Sequence, residues 1–504
     1  MIRTAIGLAL VLVAPATGQS APSPAAKVGS PSPGSAAVPS VNVAVAFDRY
    51  MAEQHIPGLV YGIVKDGRLV LVRGVGIQDT GTRAPVTPDS LFRIASMSKA
   101  FTALSILKLR DDGKLALDDP AERYVPEMKG WRYPTADAPK ITVRALLTHT
   151  AGYVEDNPWG DRQQPLTEPA FTAMLKRGVP FATGPGLRVE YSNFGYATLG
   201  RIVGTVSGMP YQRFIGRTLM TPLGMTATGY DIAAAAPASR ARGYRWQDDA
   251  WVREPDMADG AFGAMGGVQT SANDYAKWVA FLLSAWPARD DADAGPVRRS
   301  TVREIVQGAN FPTARMRPAA MGVPCRWAST YAMGWNVVDD CDLGRIVTHT
   351  GGYPGYGSVV ALLPDAGIGV FAFANRTYAA PVLPAMQALL AMKGAGLAAT
   401  RAIPVSTGLD AAYSAARAAW NAGGVERAPL AVNVLLDRNA DMRRNDIAAA
   451  KAKVGACATD AAIAPISAME GRFTWHCATG TITGRVQRAP TPDLSLQVID
   501  FVPS

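Results

Sequence analysis

A hydroxyl and an amine stand three residues apart in Ser96-Met97-Ser98-Lys99, within the run Leu91-Phe92-Arg93-Ile94-Ala95 and Ala100-Phe101-Thr102-Ala103. On a helix, residues at this spacing share a face, so the two groups come within reach of each other. The start of a helix also offers unpaired N–H groups and the positive end of its dipole, both of which favour an alkoxide or oxyanion. A serine nucleophile is the chemistry this suits. The spacing recurs in Ser105-Ile106-Leu107-Lys108, nine residues later. At about 100° per residue that is a half-turn, so only one serine can line a cleft. Ser105 lies among Leu104, Ile106 and Leu107, where a hydroxyl bonds back to the preceding turn. Ser96 is therefore the expected nucleophile and Lys99 its neighbour.

Two further polar elements follow. Tyr191-Ser192-Asn193 comes after the turn Gly184-Pro185-Gly186. A phenol relays a proton if cationic neighbours lower its pKa, and the Asn193 amide can hold a substrate carbonyl or the lysine. His349-Thr350-Gly351-Gly352 lies at the edge of an expected strand, where glycines admit a substrate backbone and a free N–H can complete an oxyanion hole. His149-Thr150-Ala151-Gly152 repeats the His-Thr pair, but it closes a helix expected over Thr142 to Thr150 and reads as a helix terminus. G-x-S-x-G, H-E-x-x-H, a Walker loop and a complete G-x-G-x-x-G after a strand are all missing from the chain. No metal or cofactor is expected.

The elements that must position these residues follow from pattern. A helix is expected over Val43 to Gln54, then β-rich runs Val60 to Val64 and Leu69 to Val75 around Asp66-Gly67, a tight-turn signal. Tyr331 to Val338, Ile346 to His349, Tyr356 to Leu363 and Ile368 to Ala374 read as strands, and Pro381 to Lys393 as a helix. The section between is mostly helical, including Tyr196 to Val206 before Gly208 and Ser271 to Leu283 with a Ser cap. Sheet pieces at both ends of a helical middle give an α/β (α+β) class: an antiparallel β-sheet flanked by helices, with an inserted all-α lobe and a cleft between the two. Beyond a Gly/Ala/Pro linker at 396–408, a small α+β domain over 409–504 is expected. Its helices are Leu409 to Asn421 and Asp446 to Val454, and its strands Arg472 to Cys477, Thr481 to Arg488 and Ser495 to Val502.

The 504 residues are 48% hydrophobic and 18% charged, enough apolar material for a large core and too much for a disordered chain. The net charge of +9 is spread without a dense basic run, which argues against a nucleic-acid partner. Residues 1–18 read as a secretory signal: Arg3, an apolar run from Ala5 to Ala14 too short to span a membrane, then Ala16-Thr17-Gly18. Residues 19–40, rich in Pro, Ser and Ala, read as a disordered tether. No later segment is continuous enough to cross a membrane, so a periplasmic or extracellular location without a membrane anchor is expected. The four cysteines suit that destination, the simplest of three pairings being Cys325 with Cys341 and Cys457 with Cys477.

Taken in order, S-x-x-K, Y-x-N and H-T-G resemble the serine β-lactamase and penicillin-binding superfamily, most closely its class C β-lactamase, DD-peptidase, D-aminopeptidase and esterase branch. The resemblance covers roughly residues 42 to 395, a domain placed at 41–395. Leu146-Leu147-Thr148-His149-Thr150-Ala151-Gly152 and Gly266-Gly267-Val268-Gln269-Thr270-Ser271 are similar to framework segments of that branch. It implies that Ser96 attacks an acyl carbon, that Lys99 and Tyr191 move the proton, that the N–H groups of Ser96 and Gly352 form the oxyanion hole, and that Asn193, His349, Thr350 and Gly351 bind substrate. The cycle would be acylation and then hydrolysis. The pair Lys99 and Tyr191 leaves the initial base open. β-Lactamases of this kind carry K-T-G, and His349 replaces that lysine. A small amide, peptide or ester is the implied substrate, plausibly a D-amino-acid peptide related to the cell wall. The alternatives are a non-hydrolytic penicillin- or cell-wall-peptide-binding sensor and a weak β-lactamase.

Overall fold

The computed structural model describes residues 43–493 and 495–504. The expected secretory signal and tether, residues 1–18 and 19–40, lie outside the described residues.

Strands from both ends of the region between residues 58 and 374 meet in one antiparallel sheet. Its order is Arg68–Gly76, Gly58–Lys65, Ile368–Ala374, Tyr356–Leu363, Gly344–Tyr353, Asn336–Asp340, Arg326–Tyr331 and Thr313–Met316. Asp66 and Gly67 both have positive φ, 48° and 78°, the conformation of a two-residue hairpin turn. Side chains alternate across the pleat and supply two cores. Leu59, Tyr61, Ile63 and Val370 pack on one face with Phe47 of the Ala44–Glu53 helix and with Met386 and Leu389 of the Val382–Gly394 helix. Val60, Val64, Phe371 and Phe373 point the other way, into a larger core shared with Phe101, Leu104, Tyr275 and Trp278. The central strands are buried on both faces, which explains their near-continuous apolar runs.

The inserted lobe is mainly helical. Ser192 caps the Asn193–Ser207 helix by accepting from the Gly195 N–H, and Gly208 ends it at φ 72°. Ser271 caps Ala272–Leu283 in the same manner. The lobe also holds two β pieces, Phe92–Arg93 paired with Gln269–Thr270 and the hairpin Tyr244–Gln247 with Ala250–Arg253. The helix expected over Thr142 to Thr150 is shorter, Val143–Leu147, because Thr142 is its cap and His149 turns the chain at φ 58°. The single strand expected over Tyr331 to Val338 is split by a turn whose Gly334 has φ 79° and abuts the Lys99 carbonyl.

Past residue 395 the chain runs without regular structure to Thr407, strapped down where Arg401 donates to the carbonyls of Leu283 and Pro364. The helices Thr407–Ala422, Val432–Asp437 and Ala440–Val454 then pack on a four-stranded sheet ending in Leu496–Pro503. Leu409, Trp420, Trp475, Val486 and Leu496 form a third core there. Disulfides join Cys325 to Cys341 and Cys457 to Cys477.

Candidate active site

Ser96 sits in the one-turn segment Ala95–Ser98 that leads into the Lys99–Asp111 helix, between the two lobes. Ala95 has φ 47°, a conformation a residue with a β-carbon adopts only when its surroundings impose it. Ser96 keeps a sliver of exposure, 8%, whereas Lys99 has none. The Lys99 Nζ lies 3.0 Å from Ser96 Oγ, 2.7 Å from Asn193 Oδ1 and 2.9 Å from the Met265 carbonyl.

The last two partners can only accept. A neutral amine has two N–H groups and one lone pair, so with its protons directed at Asn193 and Met265 the lone pair faces the serine hydroxyl. Burial pulls the Lys99 amine down to about 7, against the opposing pull of Asp161 and Asp156. Asn193 is buried and spends both ends of its amide, since Nδ2 donates to Asn157 Oδ1 at 2.7 Å. Of the two uses its type allowed, the structure shows the contact with the lysine.

The Tyr191 ring stacks beside the amine, with its centroid 4.9 Å from Lys99 Nζ. Burial drives its phenol well above the ordinary value, and a hydrogen bond with Ser96 only partly offsets this. The condition on which the phenol would relay a proton readily, a cation lowering it, is outweighed here by desolvation. Ser105 donates to the Phe101 carbonyl and is fully buried, as a mid-helix hydroxyl should be.

His349 is buried, not presented to the cleft. Its Nδ1 donates to the Thr350 carbonyl and its Nε2 accepts from Tyr331, while burial and the nearby Lys99 push it down to about 3. It is neutral at any physiological pH, so its ring offers substrate neither a charge nor a free nitrogen. Thr350 next to it is exposed. The Gly344–Tyr353 strand pairs with Asn336–Asp340 only as far as Thr348, so from His349 onward one backbone edge has no strand partner. Gly351 is packed so closely on the Ile94 carbonyl that a β-carbon would lie 2.2 Å from it, and Ser358 Oγ donates to the same carbonyl. These contacts fix the strand against the segment that carries Ser96.

Two groups in this site were not picked out from sequence. His149, read as a helix terminus, is 2% exposed and lies 4.3 Å from the Tyr191 ring, centroid to centroid. Its carbonyl accepts from the Glu190 N–H at 2.8 Å and its Nδ1 from the Ser192 N–H at 3.2 Å. The residues on either side of Tyr191 are thus both tied to this one histidine. Asp161, 4% exposed, accepts from the Tyr378 hydroxyl at 3.1 Å, and burial raises its carboxyl to about 6. The His149 contact was foreshadowed only by its place in the Leu146–Gly152 segment; nothing local marks Asp161. Cys325, Asp340 and Cys341 cluster closely enough to suggest a metal site, but the disulfide occupies both sulfurs.

The sheet, the helical lobe and the hydroxyl–amine–phenol cluster between them define a class. Residues 43–392 match the Beta-lactamase family, and the chain belongs to it. Among its relatives, Protein flp of Staphylococcus aureus is 29% identical over 328 residues, a match that spans 64% of this chain and 60% of that protein. The D-alanyl-D-alanine-carboxypeptidase/endopeptidase AmpH of Escherichia coli is also 29% identical, over 62% of this chain and 78% of its own length. The solved structure of the octameric penicillin-binding protein homologue from Pyrococcus abyssi shares the fold, with a TM-score of 0.60 at 20% identity over 92% of this chain and 98% of that one.

Proposed function

We propose that the protein is an exported serine hydrolase that acts through an acyl-enzyme on a small amide or ester. The observation that carries this is the set of Lys99 contacts: two acceptors orient a buried amine so that its free valence faces Ser96. The amine takes the Ser96 proton as Oγ bonds to the acyl carbon. The N–H groups of Ser96 and Gly352 hold the oxyanion, the bond to the leaving group breaks, and the proton reaches that group through Tyr191. Water then adds its oxygen to the acyl carbon and a proton returns to Ser96. With the phenol raised and the amine lowered, Lys99 is the initial base. The two disulfides support export.

The buried, neutral His349 leaves the K-T-G position without the cation that would pair with a substrate carboxylate, which favours peptidase, amidase or esterase action over β-lactam hydrolysis. A fluorophosphonate tests the reading directly. Intact mass should show one adduct, on Ser96, that the Ser96→Ala variant lacks, and Ser96→Ala should lower turnover by about 10³ or more. Unmodified wild-type protein would refute it.

A further inference from the structure

Between the lobes, the Asp161 carboxylate feels the charges of Lys99 and Arg162 but is bonded to neither among the described residues. Tyr378 bonds its Oδ2, and no described residue donates to Oδ1. Asp161 is 4% exposed, and what exposure it keeps leaves Oδ1 open to a donor entering between the lobes.

Its place is fixed from both sides. Gly160, just before it, is pressed on Asn193, where a β-carbon would lie 2.7 Å from the Asn193 Cβ. The Tyr378 ring lies on Gly352, where an added β-carbon would come within 2.7 Å of Cδ1. Asp161 therefore stands between the residue that holds Lys99 and the strand proposed to hold the oxyanion. Its charge is felt at both Lys99 and Tyr191. Tyr378 is 43% exposed and holds φ 56°, so the bond between the lobes is made by a residue in a conformation its type rarely adopts. Of the nearby cations, Lys99 faces Ser96 and Arg93 is spent on Tyr353 and the Met257 carbonyl, while the exposed Arg162 lowers the Asp161 carboxyl through space without bonding it.

We infer that Asp161, with Tyr378 beside it, is the subsite for a positively charged amine on the acyl half of the substrate. This rests on the acyl-enzyme reading and narrows it: a site that offers an anion where the acyl group lies, and no cation at the K-T-G position, selects compounds with a free amino group next to the scissile carbonyl. The Asp161 carboxyl, raised only to about 6, is ionised at pH 7.5. An α-amine of the ordinary kind, with a pKa of about 8, is then largely charged.

Protection of Ser96 from a fluorophosphonate tests this without needing turnover. Racemic alaninamide and racemic N-acetylalaninamide are compared at pH 7.5 as protectants of the full chain, with the labelling rate read by mass. The free amine should protect at a concentration at least about tenfold lower, in keeping with a charge-assisted contact. Asp161→Asn should bring the ratio close to one. The wild-type comparison stands even if Asp161→Asn does not fold. Equal protection by the two amides, protection by neither, or a ratio that survives in folded Asp161→Asn would each overturn the inference while leaving the serine reading intact. Failure of the reagent to label Ser96 at all would overturn the serine reading itself, and the subsite with it.

Discussion

The reactive state of Lys99 is set by what it lacks. A lysine in water stays charged until about pH 10.4; here no carboxylate touches the amine, and burial brings it down to about 7. If the proposed base, Lys99, must be deprotonated to act, the rate of Ser96 labelling should fall about tenfold per pH unit below 7 and level off above about 8. A lysine of ordinary basicity would give a rate still climbing at pH 9 to 10, which a labelling-rate profile would reveal. Lys99→Ala should lose the limb along with nearly all the rate. The same bottom-up logic assigns His149 a positioning role. His149→Ala leaves the Ser192 N–H without an acceptor and slackens the Tyr191 loop; with a net hydrogen bond worth about 1 kcal/mol, a fall of about five- to tenfold in labelling rate is expected. Asparagine tolerates a positive φ and carries an accepting oxygen, so His149→Asn should recover much of the loss. Equal rates in the two variants would rule out the Nδ1 contact as the cause.

At the level of elements, much of the frame could be read in advance, because its signals are local. The Asp66-Gly67 turn, the Ser271 cap and the Gly208 stop each depend on a few neighbouring residues, and the i, i+3 pairing of Ser96 and Lys99 is local too. What escaped was built from long-range contact. His149 reaches Ser192 from 43 positions away, and Asp161 reaches Tyr378 from 217; neither distance leaves a periodic trace. The strand Thr313–Met316 escaped because all its residues are exposed, so no apolar alternation marks it. The Arg326–Tyr331 and Asn336–Asp340 hairpin shows how such parts are held: a turn closes one end, and Cys325–Cys341, sixteen residues apart, closes the other. A loop of that length is worth about 3 kcal/mol in the chain-entropy account. Cys325→Ser with Cys341→Ser should lower unfolding stability by roughly that amount, seen as a shift of the denaturant midpoint to lower concentration. An unchanged midpoint would mean that the hairpin holds without its staple.

On the scale of the whole molecule, the cores decide what unfolds together. No residue of the two cores that face the sheet lies beyond Ala398, and none of the third precedes Leu409. Between them runs the Arg401 strap, and past it one long hydrogen bond of 3.4 Å joins the Thr407 N–H to Asp290. Cooperative unfolding follows shared burial, so units with separate cores should melt separately. Calorimetry of the intact chain should therefore resolve two transitions. Cys457→Ser with Cys477→Ser removes a loop closure worth about 3 kcal/mol from the C-terminal module alone. At about 4–8 °C per kcal/mol for a unit of that size, its transition should drop by more than about 10 °C. The transition of the sheet-bearing body should stay in place, and fluorophosphonate labelling of Ser96 at 25 °C should change by less than about twofold. A single transition that moves as a whole would show that the strap couples the two, and that the C-terminal module stabilises the catalytic body instead of riding on it.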